Sequence, residues 1–198
     1  MKTILFIDGR NFIGKLETVF ESQEISIPAW DTYDFKGLLP HVLQDILIDE
    51  VIFYFANIRE HPDTKQKSQE LIQKRRKLKT HLEKQGFKVV MSGTVRGNYK
   101  KNIHGREVLI FKEKGVDIGM AVDMIVGACD GKLKTVIIGS SDSDLQPAIR
   151  ELGKRKVETI YLGFEIMPNK GLTYTTKRTI LVRNSEVLKF RQEFPFTK

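Results

Sequence analysis

Short, mainly apolar runs recur along the chain and alternate with longer stretches whose apolar positions follow a helical period. Residues 4–7 (ILFI), 51–56 (VIFYFA), 87–91 (FKVVM), 135–138 (TVII) and 157–162 (VETIYL) are the short runs. Continuous apolarity over four to eight residues is expected of strands covered on both faces. Between them, residues 11–20 suit a helix, and Ser26-Ile27-Pro28-Ala29-Trp30 breaks any continuation. Residues 35–47 carry Leu38, Leu39, Val42, Leu43, Ile46 and Leu47 at helical spacing. Pro62-Asp63 opens a long polar helix with the stripe Leu71, Leu78 and Leu82, ended by Gly86. Residues 116–129 read as a helix that turns Ile118, Ala121, Val122, Ile125 and Val126 inward, and 145–152 as a helix closed by Gly153.

Two regions fit this alternation less well. Residues 92–115, SGTVRGNYKKNIHGREVLIFKEKG, are rich in glycine and basic residues and read as an extended arm or hairpin on the sheet margin. Beyond Gly163, residues 179–182 and 187–190 have the look of short strands. Strand and helix in alternation predict an α/β fold, a three-layer α/β/α sandwich around a mainly parallel sheet of about five strands. With no repeat or long linker, one domain over 1–198 is expected. Its core spans about 3–163, with a basic insertion at about 92–115 and a C-terminal extension at about 164–198. In such sheets ligands collect beyond the carboxyl ends of the strands, where strand order reverses.

Charge changes the picture more than composition does. The formal net charge is +8 and the pI near 9.5, which favours polyphosphate partners without specifying one. No apolar run approaches a membrane span, and the amino-terminal MKTILFIDGRNF is too briefly apolar for a signal peptide. The single cysteine, Cys129, excludes an internal disulfide or a cysteine-built zinc site and is expected to be a buried thiol. The cytoplasm is the expected compartment.

The candidate chemistry lies at strand ends. Asp8 and Asn11 follow the first strand, and Asp142 and Asp144 follow the fourth, in TVIIGSSDSDL. Acids brought together repel one another and are costly to bury. A divalent cation resolves the conflict, and Mg²⁺ or Mn²⁺ favours carboxylate, water and phosphate oxygens. Such an ion also lowers the pKa of a water, polarises a phosphoryl oxygen and neutralises the leaving oxygen. Asp117, at the start of the 116–129 helix, is the third contributor and complements the helix dipole. Asp123 lies about 240° further round, so a supporting or structural hydrogen bond is expected of it. Simpler roles exist for each residue: Asp8-Gly9 as a turn, Asn11 as a helix cap, and Asp142 or Asp144 as the cap of the Leu145 helix.

Candidate phosphate or base contacts are Arg10, Ser140 and Ser141 near the acids, and Lys112 and Lys114 beside Asp117. Arg96, Tyr99, Lys100 and Lys101 combine cations, an aromatic ring and glycine flexibility, a mixture suited to wrapping a single strand. The run QKRRKLKTHLEK, with Lys74, Arg75, Arg76, Lys77, Lys79 and Lys84, reads as the solvated face of its helix.

FIDGRNF, KGVDIGMAVDM and VIIGSSDSDLQPAIRELGKR, taken in order, resemble the three motifs of the NYN-domain family, of LabA-like type, within the PIN-like ribonuclease superfamily. The resemblance implies a PIN-like fold, an acid cluster holding Mg²⁺ or Mn²⁺, and hydrolysis of RNA phosphodiester bonds. Position by position, Asp8 and Asn11 match the first motif, Asp117 the middle one, and Asp142 and Asp144 the last. The last motif usually reads SGDSD or SGDGD, whereas here Ser140 and Ser141 precede Asp142 and the glycine comes one position early. The insertion and the tail have no clear counterpart. The expected function is a metal-dependent endoribonuclease acting on single-stranded or structured RNA, with Asp8, Asp117, Asp142 and Asp144 as ligands and Asn11 placing a water. The alternative is a catalytically inactive RNA-binding or partner-binding module; self-association is left open. A phosphatase of the HAD type fits worse, because Arg10 stands where its second aspartate belongs, and a Toprim-type nuclease wants glutamate at position 8.

Overall fold

The computed structural model describes residues 1–60, 65–101, 103 and 105–191. In chain order the elements are β1 (Lys2–Asp8), α1 (Gly9–Ser22), α2 (Phe35–Val42), β2 (Glu50–Asn57), α3 (Lys65–Lys84), β3 (Lys88–Lys101) and β4 (Glu107–Lys114). There follow α4 (Val116–Cys129), β5 (Leu133–Gly139), a 3-10 turn (Ser143–Leu145), α5 (Gln146–Lys154), β6 (Glu158–Phe164), α6 (Lys170–Thr175), β7 (Arg178–Val182) and α7 (Asn184–Lys189). The strands form one sheet in the order β4-β3-β2-β1-β5-β6-β7. Every pair is parallel except β3 with β4.

The continuous apolar strands are explained by cover on both sides. Alternate residues of one strand enter different clusters. Leu5, Ile7, Phe53 and Phe55 join Leu16, Leu39, Leu82 and Val187 from α1, α2, α3 and α7. Ile4, Phe6, Ile52 and Tyr54 join Met120, Ile149 and Leu172 from α4, α5 and α6. The central strands β1 and β2 therefore have no solvent face, and the period-two signal of a half-buried strand is absent from their sequence.

The sheet has seven strands rather than about five. β3 does not stop at Met91. After a register shift beyond Phe55 it leaves β2 and pairs with β4, Thr94 opposite Lys114 and Lys101 opposite Glu107. Gly93, at φ +74°, makes the transition, and a Cβ there would meet the Lys114 carbonyl. The basic stretch is thus a hairpin on the sheet margin, as its glycine-rich alternation suggested.

Other expectations need correction. Residues 187–189 belong to α7 and Phe190 caps its end, with no strand there: the Glu186 carboxylate accepts the Arg183 N–H at 2.8 Å, and this local cap outweighs the β-branched Val187. α2 ends at Val42, so the apolar spacing of 35–47 continues into turns and leaves Leu47 exposed. α5 passes through Gly153, and Lys156 takes the left-handed turn instead. α4 buries Val116, Met120 and Met124, while Ile118, Val122 and Val126 face solvent. That helix is apolar nearly all round, so periodicity had no polar side from which to choose a face. Cys129 is exposed at its end, contrary to the buried thiol expected. The expected start of the polar helix at Pro62-Asp63 lies outside the described residues. Among the described residues no helix is long and apolar enough to cross a membrane.

Candidate functional site

β1 and β5 are neighbours although most of the other strands separate them in sequence. From β1 the chain builds β2, β3 and β4 to one side, then returns through α4 to place β5 on the other. This is the reversal of strand order at which a crevice opens beyond the carboxyl ends. Asp8 ends β1 and caps α1, its carboxylate accepting the Asn11 N–H at 3.0 Å. Gly9 follows because the Phe55 ring occupies the place where a Cβ would be.

The loop after β5 is tied from several directions. Ser140 is 3% exposed, and its hydroxyl accepts the Asp142 N–H at 3.2 Å. The Asp142 carboxylate caps the 3-10 turn by accepting the Asp144 N–H at 2.9 Å. Asn11 Oδ1 accepts the Ser141 N–H at 2.8 Å, and Asn169 Nδ2 donates to the Ser141 carbonyl at 2.8 Å. Asn11 thus joins the end of β1 to the loop after β5. Asn169 was not singled out in the sequence. Its one local signal is that of a helix cap, realised in its bond from the Leu172 N–H at 3.0 Å.

Asp117 enters from the first turn of α4, behind Gly115 at φ +82°. Oxygens of Asp117, Asp142 and Asp144 lie within 4.8 Å of one another. Asp8 is not part of this close group but stands near enough to feel Asp142. Burial, with added repulsion from Glu113 and Asp142, pushes its carboxyl up from 3.8 to about 6, against the pull of the Asn11 and Arg10 N–H groups. Asp123 accepts the Tyr54 hydroxyl at 2.8 Å. Burial first, and that carboxylate second, hold the phenol well above its ordinary range.

Two further charges belong to this edge and were not read from sequence. Arg75, from the supposedly solvated run on α3, has only 16% of its side chain exposed. It stacks on Phe55, 4.1 Å from the ring centre, and donates to Glu113 at 2.9 Å. Burial lowers the Arg75 pKa, while Glu113 and Asp8 act in the opposite direction. Nothing in a run of six cations marks the one that folds inward; the choice depends on Phe55 and Glu113, which lie on β2 and β4.

The remaining predicted contacts are more dispersed. Arg10 is exposed and paired with Glu17 at 3.2 Å. Lys112 and Lys114 are exposed on β4, and Tyr99, Lys100 and Lys101 are exposed on the outer part of β3. The Arg96 side chain lies outside the described residues. A cavity of about 760 Å³ opens at the amino ends of β2 and β3, beside Leu47, Glu50 and Lys88. It is at the opposite edge of the sheet from the acids, so its size does not connect it to their chemistry.

The sequence model of the NYN domain matches residues 2–181, running past Gly163 into β7. No curated protein matches the chain. Among solved structures, a protein of unknown function from Vibrio parahaemolyticus RIMD 2210633 is similar, with a TM-score of 0.55 and 14% identity over 91% of this chain and 93% of that one. At that identity the likeness extends to the fold alone.

Proposed function

The chain belongs to the NYN-domain family, and on that premise we propose that it is a divalent-metal-dependent endoribonuclease of PIN-like, LabA-like type. The observation that carries this reading is the convergence of Asp117, Asp142 and Asp144 within 4.8 Å at the edge where β1 and β5 meet. Three carboxylates so close fit a hard divalent cation such as Mg²⁺ or Mn²⁺, which would offset a repulsion the protein alone does not. Asp117, Asp142 and Asp144 would hold it, with Asp8 beside them. When bound, such an ion supplies Lewis-acid stabilisation of phosphoryl oxygens and acidifies water.

The chain's own residues have distinct tasks. Asn11 and Asn169 fix the Ser141 peptide, so Asp142 and Asp144 are presented on a braced loop and not on a mobile one. Asp8, largely buried and with its carboxyl pushed up to about 6, adds negative charge beside the acids above that pH, and Arg75 is close enough to feel it. The basic surface draws in the RNA backbone. Single-stranded or structured RNA, a cytoplasmic setting and an α/β/α sandwich are parts of the same proposal.

The test incubates the protein with labelled single-stranded and hairpin RNAs in Mn²⁺, Mg²⁺ or EDTA, beside Asp142→Asn and Asp8→Asn. Metal-dependent cleavage that the variants lose is expected. Cleavage that persists in EDTA would overturn the metal assignment. RNA binding without cleavage in either metal would favour the inactive binding module.

A further inference from the structure

A second surface adjoins the acids. Between α1 and α3 lies a groove of about 710 Å³, within the roughly 300–1,000 Å³ of small-ligand clefts. Phe55 lines it next to Gly9, so the groove starts where β1 delivers Asp8. Its rim carries four cations, Arg10, Lys74, Arg75 and Lys77, against two carboxylates, Glu17 and Asp31. Glu17 is already engaged by Arg10 at 3.2 Å and by the Trp30 indole N–H at 3.3 Å. The apolar wall is Trp30, Ile27 and Leu71.

We propose that this groove takes a nucleotide of single-stranded RNA next to the scissile phosphate, its base against the Trp30 wall and its backbone on Lys74, Arg75 and Lys77. This rests on the ribonuclease reading of the acid edge. An aromatic and apolar wall facing a row of cations is the combination that single strands use, stacking supplying base contact and cations tracking the phosphates. A duplex keeps its bases inside and offers the wall nothing. Arg75 links groove and acids, since it is close enough to Asp8 to feel its charge. Its Nη1 is buried without a hydrogen-bond partner among the described residues, so the guanidinium keeps an unpaired, positively charged N–H group at the inner end of the groove.

Trp30 is the protein's single tryptophan, so its fluorescence reports on this groove alone. The full chain is titrated with an octamer of oligouridylate in EDTA, and metal-dependent cleavage of the same RNA is measured separately. Saturable quenching that weakens with salt is expected. The exposed pair Lys74→Glu with Lys77→Glu should weaken binding at least about tenfold, and Lys100→Glu with Lys101→Glu less than about threefold. RNA cleavage without any change in Trp30 emission, or a greater loss in the Lys100/Lys101 variant, overturns the groove while leaving the ribonuclease standing. Quenching without cleavage in any metal supports the groove and sinks the ribonuclease. Equal quenching by polyglutamate that RNA cannot displace would overturn the choice of nucleic acid in favour of an acidic protein segment.

Discussion

The groove between α1 and α3 and the hairpin of β3 and β4 are both basic, yet they differ in what fixes their cations. In the groove, Arg75 is pinned by a ring and a carboxylate, and Trp30 is packed edge-on against Phe20 and Tyr33. On the hairpin, Lys100, Lys101, Lys112 and Lys114 stand in solvent on two paired strands. Ordering a lysine costs side-chain entropy at the moment of binding, whereas a side chain already held has met that cost in folding. Equal charge therefore does not mean equal capacity to position a phosphate. The hairpin is suited to general attraction and the groove to register.

The sharpest way to break this contrast starts at the acids that both surfaces would serve. Asp142→Asn should lower Mn²⁺-dependent RNA cleavage by about 1,000-fold or more, some 4 kcal/mol of barrier, while oligouridylate still quenches Trp30. Loss of both would mean that the groove is not separately built.

Asp8 tests how firmly the groove's inner end is charged. Its carboxyl binds a proton more tightly folded than unfolded, so the folded state gains stability at low pH and loses it as pH climbs through about 6. The shift from 3.8 to about 6 corresponds to about 3 kcal/mol at most. Asp8→Asn removes that loss, because the amide retains a capping oxygen. In EDTA at pH 8 the variant should be more stable to urea by up to about 3 kcal/mol, and below pH 3.8 the difference should close. A variant less stable than wild type at pH 8 would contradict the burial argument.

Smaller still is the expected cost of Arg75→Ala, about 2 kcal/mol in urea unfolding, from losing a charge-assisted hydrogen bond and its stacking on Phe55. Oligouridylate binding should fall with it. At the far end, Lys100→Ala with Lys101→Ala should change stability by no more than about 0.5 kcal/mol. It should also reduce RNA affinity less than about threefold. A larger effect there would move the binding site from groove to hairpin.

Much of this arrangement was legible along the chain because its signals are local. Asp8 and Asp142 appear where an apolar run stops, and a strand end in an α/β sheet is also its chemically useful edge. The hairpin's glycines and alternation were visible for the same reason. The loop from Ser26 to Trp30, by contrast, read only as a break, and its role as a groove wall depends on α3 packing opposite.

Residue type and spacing were enough for the central parallel strands, the order of the motifs and the acids at their tips, since these follow from backbone period and from charge placed at strand ends. They could not say which side of an all-apolar α4 would be covered, which cation of the Arg75 run would turn inward, or that Asn11 and Asn169 would meet at Ser141. Those outcomes turn on contacts between segments far apart in sequence. Burial and pairing energies depend on what lies across the gap, and nothing within a local window records it.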